Sequence, residues 1–195
     1  MDGAMSIDAC KVQHYDQSEL IGMHLLVNRE MIQNPDEVRR GICQTMSLFW
    51  IKTKQNELAS STKHDSEAVV KAIDANFEDI ATLHEVKDHE RYGFNIFGPA
   101  ENYFDLTKTQ TWQDIGTAID LSVDGVSTIV TGTKNCCYLY AFHCFNDDEE
   151  LLGGHAIAFY LSSGKMLGLG RHVYVFDPNF GEFKVPKSNF KNWLG

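Results

Sequence analysis

Apolar residues recur at helical spacing through the first half of the chain and at strand spacing near its end. Leu20, Ile21, Met23, Leu25, Leu26, Met31 and Ile32 predict a helix over residues 18–33. Asn34-Pro35-Asp36 ends it, because a proline drives its predecessor out of the helical region. Past Arg40-Gly41 a strongly apolar helix starts near Cys43, with Cys43, Met46, Ser47 and Trp50 on one face. A polar linker is expected from Gln55 to Thr62, then a long amphipathic helix from about Asp65 to Leu83. Its inner stripe is Val69, Ala72 or Ile73, Phe77 and Ile80, with Asp65 or Ser66 as N-cap, and core packing is enough to explain it. Arg91 to Thr109 is aromatic and irregular, a loop that either faces substrate or packs on the surface. Thr111-x-x-Asp114 opens a short helix ending near Leu121.

From Val126 the period shortens. Val126 to Thr131 and Cys136 to Phe145 read as strands, and the second, apolar on both faces, is expected in the middle of a sheet. After the acidic turn Asn146 to Glu150, Gly153 to Tyr160 and His172 to Asp177 form an antiparallel hairpin around the glycine-bearing stretch Ser162 to Gly170. A register symmetric about Met166 pairs His155 with Asp177, Ile157 with Val175 and Phe159 with Val173. Phe183 to Pro186 adds a short strand and Ser188 to Leu194 a terminal helix. Helices first and an antiparallel sheet afterwards make an α+β fold.

At 195 residues the chain is expected to be one domain, 1–195, with residues 1–17 a tag or disordered and Met1 to Met5 a cloning remnant. A net charge of −10, with no basic run beyond Arg39-Arg40, argues against a nucleic-acid partner. No apolar run approaches a membrane span, and the N-terminus lacks the pattern of a signal peptide. The odd, irregularly spaced set Cys10, Cys43, Cys136, Cys137 and Cys144 points to reduced thiols in a cytosolic setting.

Among these thiols Cys43 is the one placed for chemistry. A helix N-terminus and a nearby imidazolium both raise the thiolate fraction, and the hairpin offers His155 with Asp177 to orient it. Cys136, Cys137 and Cys144 lie in a strand where cysteine behaves as a small apolar residue, and Cys10 sits in a weakly patterned segment. Taken singly, Cys43 and His155 are more often structural, and it is their combination with Asp177 that suggests a nucleophile, a base and an orienter. No metal or cofactor is expected, since His84-Glu85, His89-Glu90 and His143-Cys144 lack the spacing of a ligand set.

Gly41-Ile42-Cys43-x-x-Met46-x-x-x-Trp50, Gly154-His155-Ala156-x-Ala158 and Phe176-Asp177-Pro178-Asn179-Phe180-Gly181-Glu182-Phe183 resemble the three motif blocks of the YopT/AvrPphB family of bacterial effector cysteine proteases. The resemblance implies a papain-like fold and a thiol protease with Cys43, His155 and Asp177 as its triad. It also implies a virulence effector or toxin domain, secreted without a classical signal peptide and acting in host cytosol. The implied substrate is a host signalling protein such as a lipid-modified Rho-type GTPase or a kinase, and a monomer is expected. Papain-like enzymes usually carry an amide side chain five or six residues before the cysteine. Here those positions are Val38 and Glu37, with Asn34 and Gln33 the nearest upstream amides, so the oxyanion donor stays unassigned. A glutamine deamidase or transglutaminase with the same triad, and a non-catalytic binding module, remain the alternatives.

Overall fold

The computed structural model describes residues 7–27, 42–85, 98–107, 122–146, 148–164 and 169–195. In chain order these form α1 (Ile7–Cys10), β1 (Lys11–His14), α2 (Gln17–Val27), α3 (Cys43–Ser60), α4 (Ser66–Ala75), α5 (Phe77–Glu85), α6 (Gly98–Tyr103) and α7 (Val123–Gly132). Then follow β2 (Cys137–Phe145), β3 (Leu151–Leu161), β4 (His172–Asp177), β5 (Gly181–Pro186), a 3-10 turn (Lys187–Asn189) and α8 (Phe190–Leu194). The strands make one antiparallel sheet in the order β1-β5-β4-β3-β2. Neighbouring side chains on a strand point to opposite faces, so the sheet serves two cores. Ala158, Tyr160 and Phe176 pack with α2 to α6 on one side, whereas Phe159, Leu161, Val173, Val175, Phe183 and Val185 pack with α7 and α8 on the other.

The helix carrying Cys43 begins at Cys43 itself, and Cys43, Met46, Ser47 and Trp50 are all buried. It continues through the expected linker to Ser60, where Ser61 turns into the left-handed region and donates its N–H to Leu58. The amphipathic helix expected from Asp65 to Leu83 is two helices. Asp65 caps the first through Glu67 and Ala68 N–H, and Asn76 ends it, folding its side-chain amide onto the Ala72 carbonyl at 2.7 Å. The stripe Val69, Ile73, Phe77 and Ile80 nonetheless faces one core.

Other expectations are corrected. Val126 to Thr131 is helical, within α7: Ser122 caps the helix by accepting from Gly125 N–H, and Val126 and Val130 bury at one-turn spacing. The strand from Cys137 lies at an edge of the sheet rather than its middle. Its two-sided apolar pattern has another cause, since Cys137 and Leu139 meet one core and Tyr138 and Tyr140 the other. Residues 7–17 form α1, β1 and the start of α2, with β1 paired to β5 and Cys10 buried. Asn34-Pro35-Asp36, residues 28–33, most of the aromatic loop and the helix expected from Thr111 lie outside the described residues.

The hairpin register also differs. Phe159 faces Val175 and Leu161 faces Val173, two residues away from the symmetric expectation. An offset of two preserves the face, whereas an offset of one would have reversed it. His155 and Asp177 are therefore diagonal neighbours on the same side of the sheet rather than a directly opposed pair.

Candidate active site

α3 lies along β3 with matched spacing. Cys43 Sγ is 4.0 Å from the Gly154 carbonyl oxygen, and one turn later Ser47 Oγ donates to the Ala156 carbonyl at 3.0 Å. Four helical residues rise about 6 Å and two strand residues about 6.6 Å, so the two contacts hold without strain and seat Cys43 beside His155. Cys43 is 9 % exposed and occupies the first helical position. Ile42 precedes it as a cap with no side-chain hydrogen bond, leaving the helix start to backbone N–H groups.

His155 Nε2 lies 3.0 Å from Asp177 Oδ1, and both side chains are mostly buried. Asp177 is held in turn: its Oδ1 also accepts the Asn179 backbone N–H at 2.8 Å, an Asx turn that closes the Asp177-Pro178-Asn179-Phe180 corner. Phe142, paired with His155 across β2 and β3, packs its ring edge-on at 5.6 Å. Burial alone would lower the His155 pKa, but hydrogen bonds to Asp177 and Cys43, reinforced by their charges, raise it to about 10. An imidazole bonded to the carboxylate through Nε2 has Nδ1 for the thiol. The arrangement can support a thiolate-imidazolium pair, as nucleophilic attack by sulfur requires.

The three residues singled out in the sequence thus come together. Cys137 does not join them; burial pushes its thiol up to about 12, the state of an inert core cysteine. Cys136 lies just before the same strand. Val38, Glu37, Asn34 and Gln33 lie outside the described residues. Among the described residues no group of three or more His, Cys, Asp or Glu side chains is arranged to hold a metal ion, and no helix is long and apolar enough to cross a membrane.

Two groups of polar residues escaped the sequence reading. Gln17, only 6 % exposed, sits between the start of α3 and the Asp177 corner. Behind the site, Glu182 of β5 is 1 % exposed and bonds Trp50 Nε1 at 3.3 Å, Lys54 Nζ at 3.5 Å and His64 Nε2. His64 Nδ1 reaches Glu57 at 3.0 Å, and Lys54 lies over the Tyr174 ring at 4.5 Å. Glu182 followed Gly181 in the third motif block, yet nothing in spacing marked it as buried; its partners lie on a distant helix and the loop after it.

Residues 138–195 match the Peptidase_C58 family model, described as Yersinia/Haemophilus virulence surface antigen. The matched span carries β2 to α8, with His155 and Asp177, and stops short of Cys43. No curated protein matches the sequence. Among solved structures, the Pseudomonas avirulence protein AvrPphB is similar in fold, with a TM-score of 0.56 and 18% identity over 97% of this chain and 87% of that one. The helices-first, antiparallel-sheet architecture read from the sequence is therefore the α+β, papain-like one. In its last third the chain is thus similar to a family of peptidases, and over nearly its whole length it shares the fold of AvrPphB.

Proposed function

We propose that the protein cleaves a peptide bond in a host signalling protein, with Cys43 as nucleophile, His155 as base and acid, and Asp177 as orienter. The observation that carries this reading is the bond from His155 Nε2 to Asp177 Oδ1 at 3.0 Å, beside a cysteine at the first position of a helix. The Cys43 thiolate attacks the substrate carbonyl carbon and forms a tetrahedral intermediate. Backbone N–H groups at the start of α3 meet the oxyanion. As the carbon–nitrogen bond breaks, His155 gives its proton to the leaving amine, and a thioester remains on Cys43. Water, deprotonated by His155, hydrolyses the thioester and restores the thiol. Asp177 keeps its charge throughout and favours the imidazolium.

The setting is a secreted effector or toxin domain acting inside the host cell, in line with the virulence description of the matching family. A Rho-type GTPase with a basic, lipid-modified tail suits a chain of net charge −10, because opposite charge speeds encounter. The test is N-terminal mass spectrometry of host lysate treated with the wild type or Cys43→Ala. A new N-terminus with the wild type, reduced by roughly 10⁴-fold or more in the variant, is the expected result. A one-dalton gain on glutamine without cleavage would instead identify a deamidase, and neither change would leave a binding module.

A further inference from the structure

We propose that Gln17 is a positioning residue of this centre, a clamp that sets the separation between the start of α3 and the Asp177 corner. The inference rests on the reading of Cys43, His155 and Asp177 as the reacting group. Gln17 Oε1 accepts the backbone N–H of Ile42, the residue before Cys43, at 3.0 Å. A backbone N–H can only donate, so this bond fixes which end of the amide is oxygen. The Nε2 end must then donate, and it meets Asn179 Oδ1 at 2.5 Å. Gln17 also donates its own N–H to the Pro178 carbonyl at 2.7 Å.

These bonds close a ring. Ile42 leads to Gln17, Gln17 to Asn179, Asn179 N–H to Asp177 Oδ1, Asp177 to His155, and from His155 its neighbour Gly154, whose carbonyl lies 4.0 Å from Cys43 Sγ, leads back to the residue beside Ile42. Apart from Gln17, which also reaches the corner through its own N–H on the Pro178 carbonyl, the links in this ring between Ile42 and the Asp177 corner pass through the reacting side chains. The ring needs a side chain with one acceptor and one donor at the reach of glutamine. A leucine of similar size supplies neither, and it strands the N–H of Ile42, a residue that is 0% exposed.

The experiment measures iodoacetamide alkylation of Cys43 by peptide mapping, as a function of pH, in the wild type, Gln17→Leu, Asn179→Leu and the double variant. Wild-type Cys43, at a helix start beside His155, is expected to be alkylated already at pH about 6. Gln17→Leu should slow that reaction about tenfold or more while matching the wild type near pH about 9.5, where any accessible thiol is ionised. Asn179→Leu should do the same, and the double variant should lose no more than the worse single one. An acid limb that survives in Gln17→Leu, or losses that add in the double variant, overturns the clamp and leaves the triad standing. An ordinary thiol profile in the wild type overturns the triad itself, and the clamp with it. If Gln17→Leu does not fold, Asn179→Leu alone decides, because it breaks the side-chain bridge at its half-buried end.

Discussion

At His155 burial and charge oppose one another, and charge wins. Desolvation favours the neutral ring, but Asp177 and Cys43 hold the proton and the pKa rises from 6.5 to about 10. A raised pKa means that His155 contributes stability in full below pH 6.5 and loses it as pH rises through about 10. Asp177→Asn removes the charged acceptor while keeping the shape. The His155 ring resonances should then titrate well below about 10, toward 6.5, in an NMR pH series, and the alkaline loss of stability should flatten. An unchanged midpoint would mean that Asp177 does not hold the proton. This part of the site was legible in the sequence because Cys43, His155 and Asp177 are residue types whose chemistry implies one another. Gln17 was not legible: its role depends on Ile42 and Asn179, and no spacing rule ties a glutamine to a backbone N–H so far along the chain.

Among the elements, β1 and β5 meet more closely than side chains permit. Gly181 has φ +115°, and a Cβ there would fall 2.0 Å from the Gln13 carbonyl oxygen. That atom belongs to backbone, so no rotamer change relieves the clash. Gly181→Ala is expected to lower stability by about 1–3 kcal/mol in urea unfolding and to speed hydrogen exchange in β1 selectively. Exchange that quickens uniformly would argue against a local clash. β1 itself is four residues, Lys11–His14, with no apolar alternation for a sequence reading to find, and only its partner across the sheet defines it. The opposite error arose at α7. Val126, Ile129, Val130 and Thr131 carry strand propensity, but a Ser122 cap and an apolar face resting on the sheet outweigh it. The edge position of β2 was likewise hidden, since layers on both faces make an edge strand look central.

For the molecule as a whole, the buried Glu182 group ties the helical layer to the sheet. Burial pushes Lys54 down against the pull of Glu182 and Glu57. Burial would raise Glu182, but His64, Lys54 and Trp50 hold it below 4.5; burial would lower His64, but Glu182 and Glu57 raise it above 6.5. The Glu182 contribution is present above pH 4.5 and fades as pH falls through its lowered value, while that of His64 is present below pH 6.5 and fades as pH rises through its raised one. Both are whole between 4.5 and 6.5. Lys54→Ala should cost about 3–5 kcal/mol in urea unfolding, because it leaves buried carboxylate short of a cation. Lys54→Met with Glu182→Gln should cost less, and equal costs would show that packing rather than charge is at stake.

The pairing of Lys11 with Phe183 also governs the order of events in time. Contacts so distant along the chain repay the entropy of loop closure last, and the face of the Cys43 helix that carries Ser47 and Trp50 waits with them for Ala156 and Glu182. A polypeptide emerging N-terminus first, as from a ribosome, presents Cys43 before His155 and Asp177 exist beside it. Cys43, His155 and Asp177 can come together only once β4 has emerged and paired with β3. Until then the order of the chain by itself leaves the Cys43 thiol without an imidazole neighbour.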